Sequence, residues 1–179
     1  MRPMKQLWGI ALVFAVLAHS GCGYSLAGRG SFLPAYIKRI GVPQFTNNTA
    51  VFELDRQITD RVRSEFIGRG KWTIVPESTG VDGLLTGVIS SVTLSPSAFN
   101  EAQQATRYAL TLSAQVEFKD MRTNTVLWSN PSMQYREEFA LNPTSALDTA
   151  TFLGQDLNAR ERMANEFARA LVSAILEAF

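Results

Sequence analysis

Two groups of residues carry charges at a spacing worth testing for chemistry. Glu137-Glu138 is the one carboxylate doublet, and paired carboxylates serve acid–base catalysis when they share a site. The doublet lies in Met133-Gln-Tyr-Arg-Glu-Glu-Phe139, which alternates apolar and polar residues as a strand does. Neighbouring residues on a strand point to opposite faces, so the two carboxylates read as strand surface. Asp120, beside a tight turn, reads as a turn residue. The second group is Arg107, Lys119 and Arg136, which fall on the solvated face of two paired strands. Cations beside hydroxylated side chains suit phosphorylated sugar or lipid headgroups, and an ordinary solvated face is the competing reading.

Other chemistry is poorly supplied. The only histidine is His19 and the only cysteine is Cys22. From Gly23 onward the chain offers neither a His/Cys metal cluster nor a histidine-activated nucleophile. Gly28-Arg-Gly30 is too short for a phosphate loop and follows no strand. The expectation is a protein that is not an enzyme, with no cofactor and no metal.

Composition points the same way. The chain has 179 residues, 46% hydrophobic and 18% charged, with 17 basic and 16 acidic side chains. That suits one folded domain and excludes a polybasic nucleic-acid binder, a disordered chain and a disulfide scaffold.

The beginning reads as an address. A short positive stretch with Arg2 and Lys5 precedes the apolar run Leu7 to Ala18, and His19-Ser-Gly-Cys22 follows. This is the layout of a secretory signal, too short to cross a membrane as a helix. With Cys22 after Gly21, it resembles a bacterial lipoprotein signal. His19 departs from that pattern, which has an aliphatic residue there. The resemblance implies cleavage between Gly21 and Cys22 and acylation of Cys22. Several acyl chains give stable anchoring where one is marginal. Gly23 after the cysteine, in place of Asp, favours the outer membrane. Residues 1–21 are then the signal, 22–35 a lipidated tether with Tyr24, Leu26 and Phe32 as docking points, and 36–179 one domain.

Elements must position all of this. Ile37 to Phe45 alternates as a first strand, with Pro43 suited to an edge or end. Asn47-Asn48-Thr49 supplies turn and N-cap residues. Leu54, Ile58, Val62 and Phe66 make one face of a helix over about residues 51–67, stopped by Gly68 and Gly70. Arg56, Arg61, Arg63 and Arg69 read as its solvated side. Residues 71–75 and 81–94 form strands, with Gly83 and Gly87 marking a bend or bulge, and residues 95–104 form a polar connection. Residues 105–120 alternate most cleanly, with Thr106, Tyr108, Leu110, Leu112, Ala114, Val116 and Phe118 on one face. A turn at residues 120–125, with Asn124 able to take positive φ, leads into a partner strand from Val126. A loop follows over residues 141–151. A last helix from Gln155 carries Leu157, Ala164, Phe167, Leu171, Ile175 and Ala178 on one face. The sum is an α+β fold. Two helices cover one face of a mostly antiparallel sheet of four strands or slightly more.

In order and spacing, a set of segments is similar to one family. They are Cys22-Gly-Tyr-Ser-Leu-Ala-Gly-Arg-Gly30, Leu33-Pro34, Ile37-Lys-Arg-Ile-Gly-Val-Pro-Gln-Phe-Thr-Asn47, Thr106-Arg-Tyr108, Arg122-Thr-Asn-Thr-Val-Leu-Trp-Ser-Asn130, Tyr135-Arg-Glu-Glu138 and Leu171-Val-Ser-Ala-Ile-Leu-Glu177. Together they resemble LptE-like lipopolysaccharide-assembly lipoproteins over nearly the whole chain. The resemblance implies an outer-membrane lipoprotein facing the periplasm. It would plug and help assemble an LptD-type β-barrel translocon and assist lipopolysaccharide transport. Its partners would be that barrel, lipopolysaccharide and the membrane through the acyl anchor, with no nucleic acid. No ligand residue carries over from the family, so Arg107, Lys119 and Arg136 stand on the residue reading alone. The signal and Ile40-Gly-Val-Pro-Gln-Phe45 also resemble envelope lipoproteins of secretion pores and activators of peptidoglycan synthases. Those remain the alternative.

Overall fold

The computed structural model describes residues 33–140 and 149–178. Its elements are β1 (Arg39–Gly41), β2 (Thr46–Asn47), α1 (Leu54–Gly68), β3 (Thr73–Val75), β4 (Gly83–Phe99), β5 (Ala105–Asp120), β6 (Thr125–Phe139), α2 (Thr149–Gln155) and α3 (Leu157–Glu177). The strands form one six-stranded sheet in the order β3-β1-β4-β5-β6, with β2 also paired to β4. β4, β5 and β6 form an antiparallel meander, whereas β1, β2 and β3 pair in parallel. The helices lie on one side of the sheet, so the fold is α+β as expected, with one more helix and a wider sheet.

The core lies between the layers. Leu54, Ile58, Val62 and Phe66 of α1 and Phe167, Leu171 and Ile175 of α3 are fully buried. They meet Leu85 and Ile89 of β4 and Leu110, Leu112 and Phe118 of β5. The β5 face reads as predicted because alternation puts every second residue on the helices. Leu33, within the segment read as tether, is itself buried in this core.

Several boundaries differ from expectation. The first strand breaks into β1 and β2 around Pro43, which has no N–H for a ladder. α1 starts at Leu54 behind Glu53, whose φ of 57° is left-handed. Asn47 and Thr49 close the preceding turn instead of capping the helix, with the Asn47 carboxamide accepting from the Thr49 amide at 2.9 Å. β4 runs on to Phe99 through the stretch read as a polar connection. It can do so because the extra residue Ser90 shifts the register between Ile89 and Ser91. The bulge flips the phase, so Val92 and Leu94 turn toward the core and Ser91 and Thr93 away from it. The glycines do not make this bulge. A side chain at Gly87 would meet the Phe45 ring at 2.4 Å, and one at Gly83 the Phe118 ring at 2.7 Å.

β6 is one strand through Pro131, which its edge position permits. Residues 149–151, read as loop, open α2. The Leu94 amide donates to Thr149 Oγ1 at 3.0 Å and ties that helix to β4. Asp156 caps α3 by accepting from the Ala159 amide. Leu157 is 60% exposed, and Ala178 is exposed too, because the first turn and the end of α3 run past the layer it covers. Asn124 takes φ 57° in the β5–β6 turn, as its residue type allows.

Candidate functional site

The meander leaves one long sheet face without a helix on it. Register sets its composition. Glu117 sits opposite Thr86 and Ser129, Ser113 opposite Ser91 and Gln134, and Thr111 opposite Thr93 and Arg136. Short hydroxyl and amide side chains dominate. Where β6 bulges at Pro131, the face dips into an open depression of about 380 Å³, lined in part by Thr86, Gln115, Glu117 and Ser129.

The three candidate cations all belong to this face, but the fold does not gather them. Arg107 Nη1 lies 3.7 Å from Glu138 Oε2, and Arg136 Nη2 lies 3.8 Å from Glu138 Oε1. One carboxylate therefore sits between two guanidinium groups near the far end of the sheet. Such exposed pairs contribute only about 0–1 kcal/mol, so both cations stay open to an outside anion. Lys119 is twelve positions from Arg107 along β5, or roughly 40 Å at 3.3 Å per residue. It cannot share one headgroup with the arginines.

The carboxylate doublet splits as strand geometry demands. Glu138 faces the bare side. Glu137 faces α3, accepting from Arg162 Nε at 3.2 Å and from the Tyr135 hydroxyl at 2.9 Å. Burial, and then the neighbouring Glu137 acceptor, push the Tyr135 phenol well above its ordinary value. Arg162 also covers the Phe139 ring at 5.3 Å. This assembly fastens α3 to the sheet.

Asp120 does more than turn the chain. Its carboxylate accepts the amide of Arg122 at 2.8 Å and the hydroxyl of Tyr36. Next to it, Asp82 accepts the amides of Arg39 and Lys38 at 3.0 and 2.9 Å, and Arg122 reaches Asp82 at 3.3 Å. The Arg122 guanidinium lies 4.8 Å over the Tyr36 ring. The Tyr36 hydroxyl holds the Asp120 carboxyl below its usual range, and the Arg39 and Lys38 amides do the same for Asp82. Sequence reading missed Tyr36 and Asp82, since nothing local marks contacts made across long stretches of chain.

The arginines of α1 are also more than solvated. Arg63 donates twice to the Val42 carbonyl, at 2.9 and 2.8 Å, and so closes the end of β1. Arg61 pairs with Glu161 at 2.7 Å, and Arg69 reaches Ser173 at 3.0 Å. These two contacts set α1 and α3 side by side in the same direction. Arg56 pairs with Glu53 in its own first turn, at the surface. Cys22 and Gly21, with Tyr24, Leu26 and Phe32 of the tether, lie outside the described residues. No group of residues suited to holding a metal ion occurs among the described residues. No helix among them is long and apolar enough to cross a membrane.

Comparison with known proteins gives a family and a fold. No curated protein matches the chain. Among solved structures, the hypothetical protein CT253 from Chlamydia trachomatis superposes with a TM-score of 0.51 at 12% identity, covering 79% of this chain and 99% of that one. Rare lipoprotein B from Shewanella oneidensis gives 0.46 at 16% identity, covering 76% and 96%. The PelC dodecamer from Paraburkholderia phytofirmans gives 0.45 at 11%, covering 76% and 86%. At 12% identity the likeness to CT253 concerns the fold alone. The LptE lipopolysaccharide-assembly family model matches residues 37–175, from the buried Ile37 to the last buried residue of α3. The chain belongs to the LptE family of lipopolysaccharide-assembly proteins.

Proposed function

We propose that the protein is a lipoprotein acylated at Cys22, cut after Gly21, and facing the periplasm from the outer membrane. It seats its bare sheet face against the lumen wall of an LptD-type β-barrel, helps that barrel assemble and assists lipopolysaccharide transfer. The observation that carries this is the uncovered face of β4, β5 and β6. Three strands of 15 to 17 residues expose hydroxyls and amides with few unpaired charges. Barrel interiors are polar, and a plug must offer matching donors and acceptors without burying a lone charge. An acyl anchor raises the effective concentration of the plug near its barrel. Arg107 and Arg136, flanking Glu138, are the point on this face where a lipopolysaccharide phosphate would be held by charge-assisted hydrogen bonds. A catalytic role has no support in the geometry, since the carboxylate doublet is split between two faces. Gentle extraction of envelopes followed by affinity isolation tests the reading. Recovery of an LptD-type barrel with the chain is expected. Recovery of a peptidoglycan synthase, or of a ring of this chain alone, overturns it.

A further inference from the structure

The lysines are distributed unlike the arginines. The chain has four, Lys5, Lys38, Lys71 and Lys119. The three within the domain all stand at one end of the sheet. Lys38 precedes β1, Lys71 precedes β3, and Lys119 pairs with Leu84 at the start of β4. The first residues of β1 and β3 are in register, Arg39 with Thr73, and Ile40 aligns with Gly83. These positions therefore form one row across the sheet end.

Most acids of that end are engaged, while Glu117, on the Lys119 face of β5, and Glu177, at the end of α3, are exposed with no ion pair among the described residues. Asp82 and Asp120 hold the amides and the tyrosine described above. Glu65 takes Arg69 at 2.9 Å, and Glu77 lies 3.9 Å from Arg39. The three lysines have no acid partner among the described residues. Lys38 and Lys71 are exposed, and Lys119 is half-buried. Arginine's planar fork suits fixed ion pairs, whereas lysine is a hydrated point charge on a flexible stem, suited to a mobile anionic surface.

Apolar side chains gather there too. Of the seven exposed large apolar residues among the described ones, Tyr36, Ile67, Met121 and Val126 flank this end, at the start of β1, the end of α1 and the β5–β6 turn. The first described residues lie here too. Leu33, Pro34, Lys38, Lys71 and Trp72 line one small hollow of about 190 Å³. The ten residues 23–32 between Cys22 and Leu33 span at most about 36 Å when extended, at up to ~3.6 Å per residue.

We propose that this end is a membrane-contact surface, laying Lys38, Lys71 and Lys119 on the anionic phospholipid headgroups of the leaflet that holds the acyl chains. Its orientation toward the bilayer rests on acylation at Cys22. A lipid anchor binds firmly when a second signal accompanies it, and lysines with interfacial apolar residues supply one. The contact holds the domain at the leaflet before its bare face seats in the barrel lumen.

The test uses the chain starting at Gly23, which keeps every core residue from Leu33 to Ile175. Without acyl chains, its binding to vesicles reports the surface alone. Flotation with phosphatidylethanolamine vesicles is compared with flotation on the same vesicles containing cardiolipin. Binding is expected only with cardiolipin and is lost in high salt. Each lysine near such a surface contributes about five-fold, so Lys38→Gln, Lys71→Gln and Lys119→Gln together lower partitioning roughly a hundred-fold. Arg56→Gln, in the first turn of α1, leaves it unchanged. Equal flotation of the triple variant overturns the proposal, as does binding to lipopolysaccharide micelles with none to cardiolipin vesicles. Melting curves exclude unfolding, since all three side chains lie outside the core. Failure to find acyl chains on Cys22 by mass spectrometry overturns the anchor without changing this result.

Discussion

The Tyr36 hydroxyl donates to the Asp120 carboxylate, tying the segment that enters the domain to a turn 84 residues later. The bond sets the acid stability of this end. The folded-state values of Asp120 and Asp82 lie below ordinary carboxylates. Their contribution is therefore present above the unfolded value of about 4 and is lost as pH falls through the folded values. The melting midpoint is expected to drop on acidification from pH 5. Tyr36→Phe should lower the midpoint at pH 7 and make the acid slope shallower. A slope unchanged by Tyr36→Phe would show that the bond stores no stability.

Gly87 leaves the space that the Phe45 ring fills, and a side-chain carbon placed there would lie only 2.4 Å from that ring. Gly87→Ala overpacks this contact and should cost about 1–3 kcal/mol in chemical denaturation. Phe45→Leu in the same chain should recover part of that loss, and simple additivity of the two changes would contradict the contact.

Leu171 is completely buried on the face that α3 turns to the core. Leu171→Ala should destabilise by about 2–5 kcal/mol. Leu171→Asp should leave no cooperative transition, because an unpaired carboxylate cannot be accommodated there. A normal melting curve for Leu171→Asp would mean that α3 is not part of the core.

Arg136 and Arg107 share Glu138 at nearly equal distance. If this pair holds a lipopolysaccharide phosphate, Arg136→Glu should weaken lipopolysaccharide binding at least ten-fold, about 1.4 kcal/mol. Lys119→Gln, at the other end, should change it little. Equal loss from both variants would contradict the placement.

Local pattern was enough wherever a residue's surroundings follow from its own element. The alternation from Thr106 to Phe118 and the α1 stripe from Leu54 to Phe66 are of that kind, and both turn to the core as read. Pattern failed where another part of the chain decided the outcome. Residues 95–99 look like a connection, yet Ser95 and Pro96 pair with Ala109 and Tyr108 because the Ser90 bulge resets the phase of β4. Leu157 fits the α3 stripe by angle but lies past the covered layer. At the candidate site, strand parity correctly put Arg107, Lys119 and Arg136 on one face, since register preserves parity. It carried no information on length, and length separates Lys119 from the arginines.

The central claim is that the bare face of β4, β5 and β6 meets a barrel wall. Its most direct test places a photocrosslinking amino acid at Thr111 or Ser113 on that face, or at Arg56 on the opposite layer, in cells. Capture of the LptD-type barrel from Thr111 and Ser113 but not from Arg56 is the predicted result. Capture from Arg56 alone, or no barrel from either face, would contradict the account.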